Sequence, residues 1–376
     1  MKVLITGSEG FIGKNLKAEL YGDKYAVIEP LFFDCNSDQS LLDLYCKECD
    51  FIVHLAGVNR PENDDEFISG NFEFTSILLN NLKKHHNTSP IIFTSSIQAL
   101  LDNAYGQSKK AAEDLIFKYG KDNNVKVMIY RLPNVFGKWC RPNYNSVIAT
   151  FAHNIANELP IQVNDYNQSM TLVYIDDVVK EIINAIHGNE NRKDDDFCYV
   201  EPTIKTTLGE IADILSSFKK YRKELNVPNN DSLLEKYLYA TYLSYVPITK
   251  MSYSLTTNED KRGSFTEIIR TIGQGQFSVN TIRPGATKGN HFHQTKHEKY
   301  IVVSGFASIL LRKMDEERIY EYKTSSDNLE IVDIPVGYIH SITNIGTNDL
   351  VVLMWASEPF NPNNPDTIQM EVKNNE

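Results

Sequence analysis

Four side chains in the second half of this chain have the types and spacing of a metal cage. His291 and His293 are one residue apart, Glu298 follows, and His340 comes after the turn-prone Pro335-Val336-Gly337. Imidazoles with a carboxylate suit zinc, and also iron, manganese or copper. On a strand, alternation sends His291 and His293 to the same side; Glu298 is expected to return on the neighbouring strand, and His297 to point away. A second constellation is Tyr105 and Lys109, whose spacing on a helix puts them on one face. An ammonium beside a phenol lowers its pKa from about 10, which makes Tyr105 a proton donor or acceptor near neutrality. A third is "TGSEGFIG", residues 6–13. Gly7 permits a tight turn, Gly10 lets backbone N–H groups approach a pyrophosphate, and Gly13 lets the following helix pack closely.

The elements that must position these groups differ between the two halves. Residues 1 to about 130 alternate apolar runs with amphipathic stretches: strands at 2–6, near 25–28, 51–55, 90–95 and 125–131, with helices from 11, 38–47, 70–86 and 105–119 between them. This is the βαβ rhythm of an α/β Rossmann-like, doubly wound parallel sheet. Residues 140–245 are mostly helical in pattern and suggest a substrate-side lobe. Beyond the polar stretch "TKMSYSLTTNEDKRGS", short alternating strands such as "QFSVNTIRP" and "DLVVLMWAS" imply an all-β sandwich or barrel. The expected domains are 1–248 and 255–376.

Composition narrows the class. Apolar residues make up 41% of the 376 and charged residues 23%, ordinary values for a globular protein. A net charge of −11 argues against a nucleic-acid partner, which needs a basic face, while leaving room for a small anionic ligand. No apolar run approaches the ~20 residues that span a bilayer, so no membrane partner is expected. Five scattered cysteines fit free thiols, including Cys46 and Cys49, and the expected location is cytoplasmic.

The glycine motif is followed in order by "DFIVHLAG", "IIFTSSI", Tyr105-x3-Lys109, "RLPNVFG" and "LVYIDDVV". This series resembles the extended short-chain dehydrogenase/reductase (SDR) family, whose members mostly act on nucleotide-linked sugars. The resemblance implies a cofactor site of Gly7, Gly10, Phe11, Ile12, Gly13, His54, Ala56 and Lys109, and a catalytic set of Ser96, Tyr105 and Lys109, with Ser95 as the alternative serine. Hydride from a nicotinamide would reach a carbonyl carbon as Tyr105 protonates the oxygen. Asn134, with Lys138 and Arg141 beyond it, could meet a nucleotide diphosphate. Ile97 and Gln98 follow Ser96, where the family's dehydratases carry an acidic pair and its fucose-type epimerase-reductases a cysteine at the second position. A reductase, or a 4-epimerase, remains. Glu29 and Asp34 stand where a carboxylate would hold the adenine ribose of NAD, with no arginine for a 2′-phosphate.

The histidine segments resemble the two cupin motifs, which implies a jelly-roll barrel holding metal through His291, His293, Glu298 and His340. The two-domain order, with "HLAGVNRPE", "FGKWCRPNYNSVIATF" and "KGNHFH", is similar to a family of bifunctional capsular-polysaccharide enzymes that fuse an extended SDR domain to a cupin. That resemblance implies a UDP-linked 4-keto-6-deoxy amino sugar as substrate, with C3 epimerisation of UDP-2-acetamido-2,6-dideoxy-β-L-arabino-hexos-4-ulose in a zinc cupin. Reduction at C4 to UDP-N-acetyl-6-deoxy-L-talosamine would follow, with NADPH as cofactor (NADH open), Zn2+ as metal (other divalent ions open), and a homodimer. The alternatives are a 4-epimerase with a structural cupin, and a non-catalytic sensor of NAD(P) and sugar.

Overall fold

The computed structural model describes the chain except residues 22–24, 62, 64, 193–195, 230, 272–274, 315, 364 and 374–376, and the side chain of residue 65. It divides into two compact units, Met1–Ser216 with Tyr237–Pro247, and Ser217–Lys236 with Ile248–Glu376. Residues Ser217–Lys236 therefore group with the second unit, partly because Asn226–Val227 forms a parallel strand beside Gly263–Thr271.

The first unit is built on a six-stranded parallel sheet. Its strands are β1 (Lys2–Thr6), β2 (Glu29–Phe33), β3 (Phe51–His54), β4 (Ile91–Ser96), β5 (Val127–Leu132) and Phe197–Cys198, in the order β2-β1-β3-β4-β5 with the last at the edge. Apolar β1, β3 and β4 are almost wholly buried, as parallel strands covered by crossover helices must be. One layer of core joins Leu4, Ile52, Phe93 and Ile129 to Leu42, Leu78 and Ile116 from three helices. Cys46 and Cys49 lie in it, and burial pushes their thiols up to about 12 and about 11, which suits inert packing rather than redox work.

The second strand lies four residues later than its apolar pattern suggests. It opens with Glu29 and Pro30, and proline is tolerated there because β2 is an edge strand. Glu29 consequently sits beside Lys2 at the strand's start, leaving Asp34 alone at the end that faces the glycine turn.

The second unit is a sandwich of two antiparallel sheets. One contains Gly263–Thr271, Gly275–Ile282, Leu350–Ala356, Glu298–Ser304 and Ile331–Ile334; the other contains Ile319–Ser325, Phe306–Lys313, Tyr338–Asn344, Thr287–Phe292 and Ile368–Gln369. Tyr300, Val302 and Val352 from the first meet Ala307, Ile309 and Ile342 from the second in one core. This is the expected jelly-roll architecture. Among the described residues no helix is long and apolar enough to cross a membrane.

Candidate active site and metal centre

In the first unit β1 runs into Gly7, whose φ of +71° favours glycine, and Gly10 caps the helix Phe11–Leu20. A Cβ on Gly13 would stand 2.2 Å from the Gly7 carbonyl oxygen, and one on Gly7 would stand 2.7 Å from the Ala56 nitrogen. The helix start, the turn and the end of β3 are thus pressed together, with Phe11 and Ile12 in the first turn. That cradle fits a dinucleotide pyrophosphate. Asp34 accepts a hydrogen bond from the Glu9 backbone at 3.0 Å, which sets a carboxylate beside the turn.

His54 is placed at the end of β3, but its ring is fully engaged. Thr75 gives its hydroxyl proton to the Asn71 carbonyl and so accepts from His54 Nε2 at 2.9 Å, leaving Nδ1 to accept from Thr6 at 2.7 Å. Burial lowers its pKa to about 3. The neutral ring ties two strands to the helix behind them.

Ser96 ends β4 and accepts from the Gln98 backbone at 3.1 Å, and its hydroxyl lies near enough to the Tyr105 phenol to pull the phenol's pKa down. The short "LLDNA" segment makes the required tight turn: Asn103 caps the helix Ala104–Asn123, bringing Tyr105 back against Ser96. Ser95 faces the other way and donates to the buried Glu113 at 2.6 Å, which Arg131 holds through two bonds. Tyr105's pKa is raised rather than lowered, because burial outweighs the opposing pull of the nearby Ser96 hydroxyl. The phenol packs against Phe67 with ring centroids 5.5 Å apart. A high phenol pKa keeps the proton in place, as a donor to a ketone oxygen requires.

Lys109 lies one helical turn along, fully buried. Its ammonium donates to the Thr94 carbonyl at 3.4 Å, and burial lowers its pKa to about 8. A Cβ on Gly57 would sit 3.0 Å from Lys109 Nζ and 2.7 Å from Asn71 Oδ1, so glycine leaves the space over the lysine open. Asn71 escaped sequence reasoning. It sits in a π-helical stretch, Ile68–Glu73, bonding both Val58 backbone groups and Ser108; the irregular helix turn that aims it has no sequence signature.

The three proposed diphosphate contacts are less converged. Asn134 donates to the Thr171 carbonyl at 3.1 Å, Lys138 pairs with Asp176, and Arg141 lies over the Tyr144 ring.

In the second unit His291, His293, Glu298 and His340 offer ligand atoms that all lie within 4.8 Å of one another. Their placement corrects one expectation. Glu298 begins a strand of the opposite sheet, while His291 and His340 are cross-strand partners and His293 lies just beyond its strand. A bulge between Gly289 and His291, with Asn290 at φ +59°, re-aims the chain here. Gly289 must be glycine, since a Cβ would stand 2.7 Å from the His340 carbonyl.

The donor chemistry fits a metal ion. His293 Nδ1 donates to the Asp366 carbonyl at 2.5 Å and His340 Nδ1 to the Tyr338 carbonyl at 3.3 Å, so each Nε2 carries a lone pair. Both Nε2 atoms are buried, with no hydrogen-bond partner among the described residues. They lie 3.6 and 3.4 Å from Glu298 Oε2, close to the ~3.3 Å edge of a tetrahedron with zinc-like bonds. Burial lowers His291 to about 4, which keeps that imidazole neutral. Tyr300 donates to Glu298 at 2.9 Å, and the Gly337 N–H binds the His293 carbonyl at 2.8 Å.

Residues 3–197 match the NAD dependent epimerase/dehydratase family, and residues 258–368 match the polysaccharide biosynthesis C-terminal domain. The chain belongs to the NAD dependent epimerase/dehydratase family. It is 44% identical, over 99% of both chains, to the UDP-2-acetamido-2,6-beta-L-arabino-hexul-4-ose reductase of Pseudomonas aeruginosa. The crystal structure of the capsular polysaccharide assembling protein CapF from Staphylococcus aureus superposes with a TM-score of 0.91 at 49% identity, covering 99% of this chain and 100% of that one. A structure of CapF with the inhibitor 3-isopropenyl-tropolone gives 0.87 at 45% identity, with coverage of 99% and 100%. The two-domain CapF-type architecture expected from the motifs is therefore the one this chain has, and it is an NAD(P)-dependent nucleotide-sugar enzyme of polysaccharide biosynthesis.

Proposed function

We propose that the chain epimerises C3 of UDP-2-acetamido-2,6-dideoxy-β-L-arabino-hexos-4-ulose in its second unit and reduces C4 in its first, giving UDP-N-acetyl-6-deoxy-L-talosamine. The observation that supports this reading is that one chain holds both Tyr105 and Lys109 beside Ser96 at the end of β4 and a His291–His293–Glu298–His340 cluster with two buried imidazole nitrogens that have no partner among the described residues. A ketone links them chemically. Hydrogens on the carbons beside a C4 ketone are acidic, and reduction of C4 removes the ketone and traps the inverted centre.

His291, His293, Glu298 and His340 would hold zinc, which supplies Lewis-acid polarisation of the keto oxygen when bound. Around it, Tyr300 and the Asp366 carbonyl fix the orientation of Glu298 and His293. In the first unit Gly7, Gly10 and Gly13 open the cradle for NADPH, whose nicotinamide supplies the hydride. Ser96 orients the substrate carbonyl, Tyr105 gives its proton to the oxygen, and Lys109 is placed to replenish that proton and bind the cofactor ribose. Asn134, Lys138 and Arg141 are the proposed contacts to the nucleotide diphosphate. Asp34 beside the turn supports use of NADH as well.

The test gives the enzyme its UDP-linked 4-keto sugar in D2O with and without NADPH and follows deuterium at C3. Wash-in without NADPH, and net NADPH oxidation when it is added, are expected. A tightly held NAD with no net oxidation would instead mark a 4-epimerase with a structural second unit.

A further inference from the structure

The reading above leaves one chemical task without a residue: moving the C3 proton. Three polar side chains near the cage in sequence are Lys288, His297 and Tyr300. His297 is exposed and lies against the Trp355 ring. Tyr300 is buried with its hydroxyl proton committed to Glu298.

Lys288 is placed differently. Its strand partner is Ile342, which belongs to the core between the sheets, and directly paired residues share a face. Lys288 therefore points inward. Simple alternation would then send His291, three residues on, to the outer face. The bulge at Asn290 adds one residue and restores it, so Lys288 and His291 project into the same space between the sheets. Strand geometry separates them by only about 7–10 Å along the chain. The lysine crosses to the opposite sheet, where Nζ donates to the Ser264 carbonyl at 2.8 Å and Asn280 Oδ1 at 3.0 Å. Both acceptors are neutral. Two of the four tetrahedral directions on nitrogen are fixed by them and one by the side chain, which leaves one direction. That direction holds a proton in the ammonium and a lone pair in the amine.

We propose that Lys288 exchanges the proton at the sugar carbon beside the ketone, an assignment that rests on the C3-epimerase reading. The amine lone pair takes the C3 proton, and an N–H bond forms as the C–H bond breaks. The released electron pair becomes the C3=C4 double bond, with the charge on O4. Water then returns a proton to the opposite face of C3, the ketone re-forms, and Lys288 gives its proton to solvent. Burial lowers the lysine's pKa, which makes the amine more accessible, and the neighbouring Asp260 and Arg262, paired at 2.6 Å, act on it in opposite directions.

The decisive measurement compares deuterium wash-in at C3 of the UDP-linked 4-keto sugar, without NADPH, for wild type, Lys288→Ala and Lys288→Gln, with zinc content measured on each. Removing a general base lowers rates by about a hundredfold or more. The expected result is such a loss with zinc retained, and partial recovery of Lys288→Ala by added methylamine. Wild-type-like exchange in zinc-loaded Lys288→Ala would overturn the assignment alone. So would zinc loss in both variants, which would make the lysine a structural element. A wild-type enzyme that exchanges no deuterium at C3 would overturn the epimerase reading itself, and this assignment with it.

Discussion

The Nδ1–H of His293 donates to the main-chain carbonyl of Asp366, 73 residues away in sequence. The Asp366 carboxylate in turn accepts from the backbone N–H groups of Gln294, Thr295 and Lys296 and from the Thr295 hydroxyl. Those bonds hold it well below the usual carboxylate range. The segment around Asp366 is anchored further on, where Ile368 and Gln369 pair with Phe292 and His291.

Asp366→Ala removes the four bonds of the carboxylate, which anchor the segment that presents the main-chain carbonyl to His293, and keeps that carbonyl and all four candidate metal ligands in the chain. Loosening such an orienting partner should cost up to about 10–100-fold in metal affinity. Competition with a zinc chelator should show a weakening of that size, and an unchanged affinity would mean that the ligand strands alone position His293.

The two adjacent serines should separate cleanly. Ser95→Ala deprives the buried Glu113 of a hydrogen bond and should cost about 1–3 kcal/mol of stability in urea unfolding while NADPH oxidation persists. Ser96→Ala should leave the urea midpoint nearly unchanged and slow NADPH oxidation. The reverse pattern would exchange their roles.

Tyr105→Phe should reduce C4 reduction by about 10²–10⁴-fold and leave C3 wash-in intact. His291→Ala should abolish wash-in and spare reduction of a ketone already inverted at C3. Loss of both activities in both variants would contradict two separate sites.

His54 predicts an acid sensitivity of the first unit. Its folded pKa, about 3, lies far below the ordinary histidine value. Between about 6.5 and 3 the unfolded chain binds a proton that the folded one refuses, so stability falls as pH falls, by at most about 1.4 kcal/mol per unit. His54→Asn lacks this titration. Its stability deficit relative to wild type should shrink from pH 7 to pH 4 in urea unfolding; a constant deficit would mean the ring is not held neutral.

Much of this was legible in the sequence because the signals are local. Gly7, Gly10 and Gly13 are demanded by one turn, Tyr105 and Lys109 by one helix face, and His291 and His293 by one strand end. What stayed hidden depends on pairing across the fold. Pro30 masked an edge strand, and Glu298 was expected beside His291 although its strand pairs in the other sheet. The lowered phenol pKa expected at Tyr105 failed because burial, which spacing does not reveal, dominates. Asp366 and Asn71 act through backbone partners, for which residue type alone gives no cue.

The partition of the cage between two sheets has a further meaning. The imidazoles of His291 and His340 belong to one sheet and the Glu298 carboxylate to the other, so an ion held by all of them is a rivet through the sandwich. By mass action, free metal at a hundred times its dissociation constant adds about 2.7 kcal/mol to whatever holds the sheets together. A bound ion would thereby contribute to the stability of the second unit as well as to its chemistry.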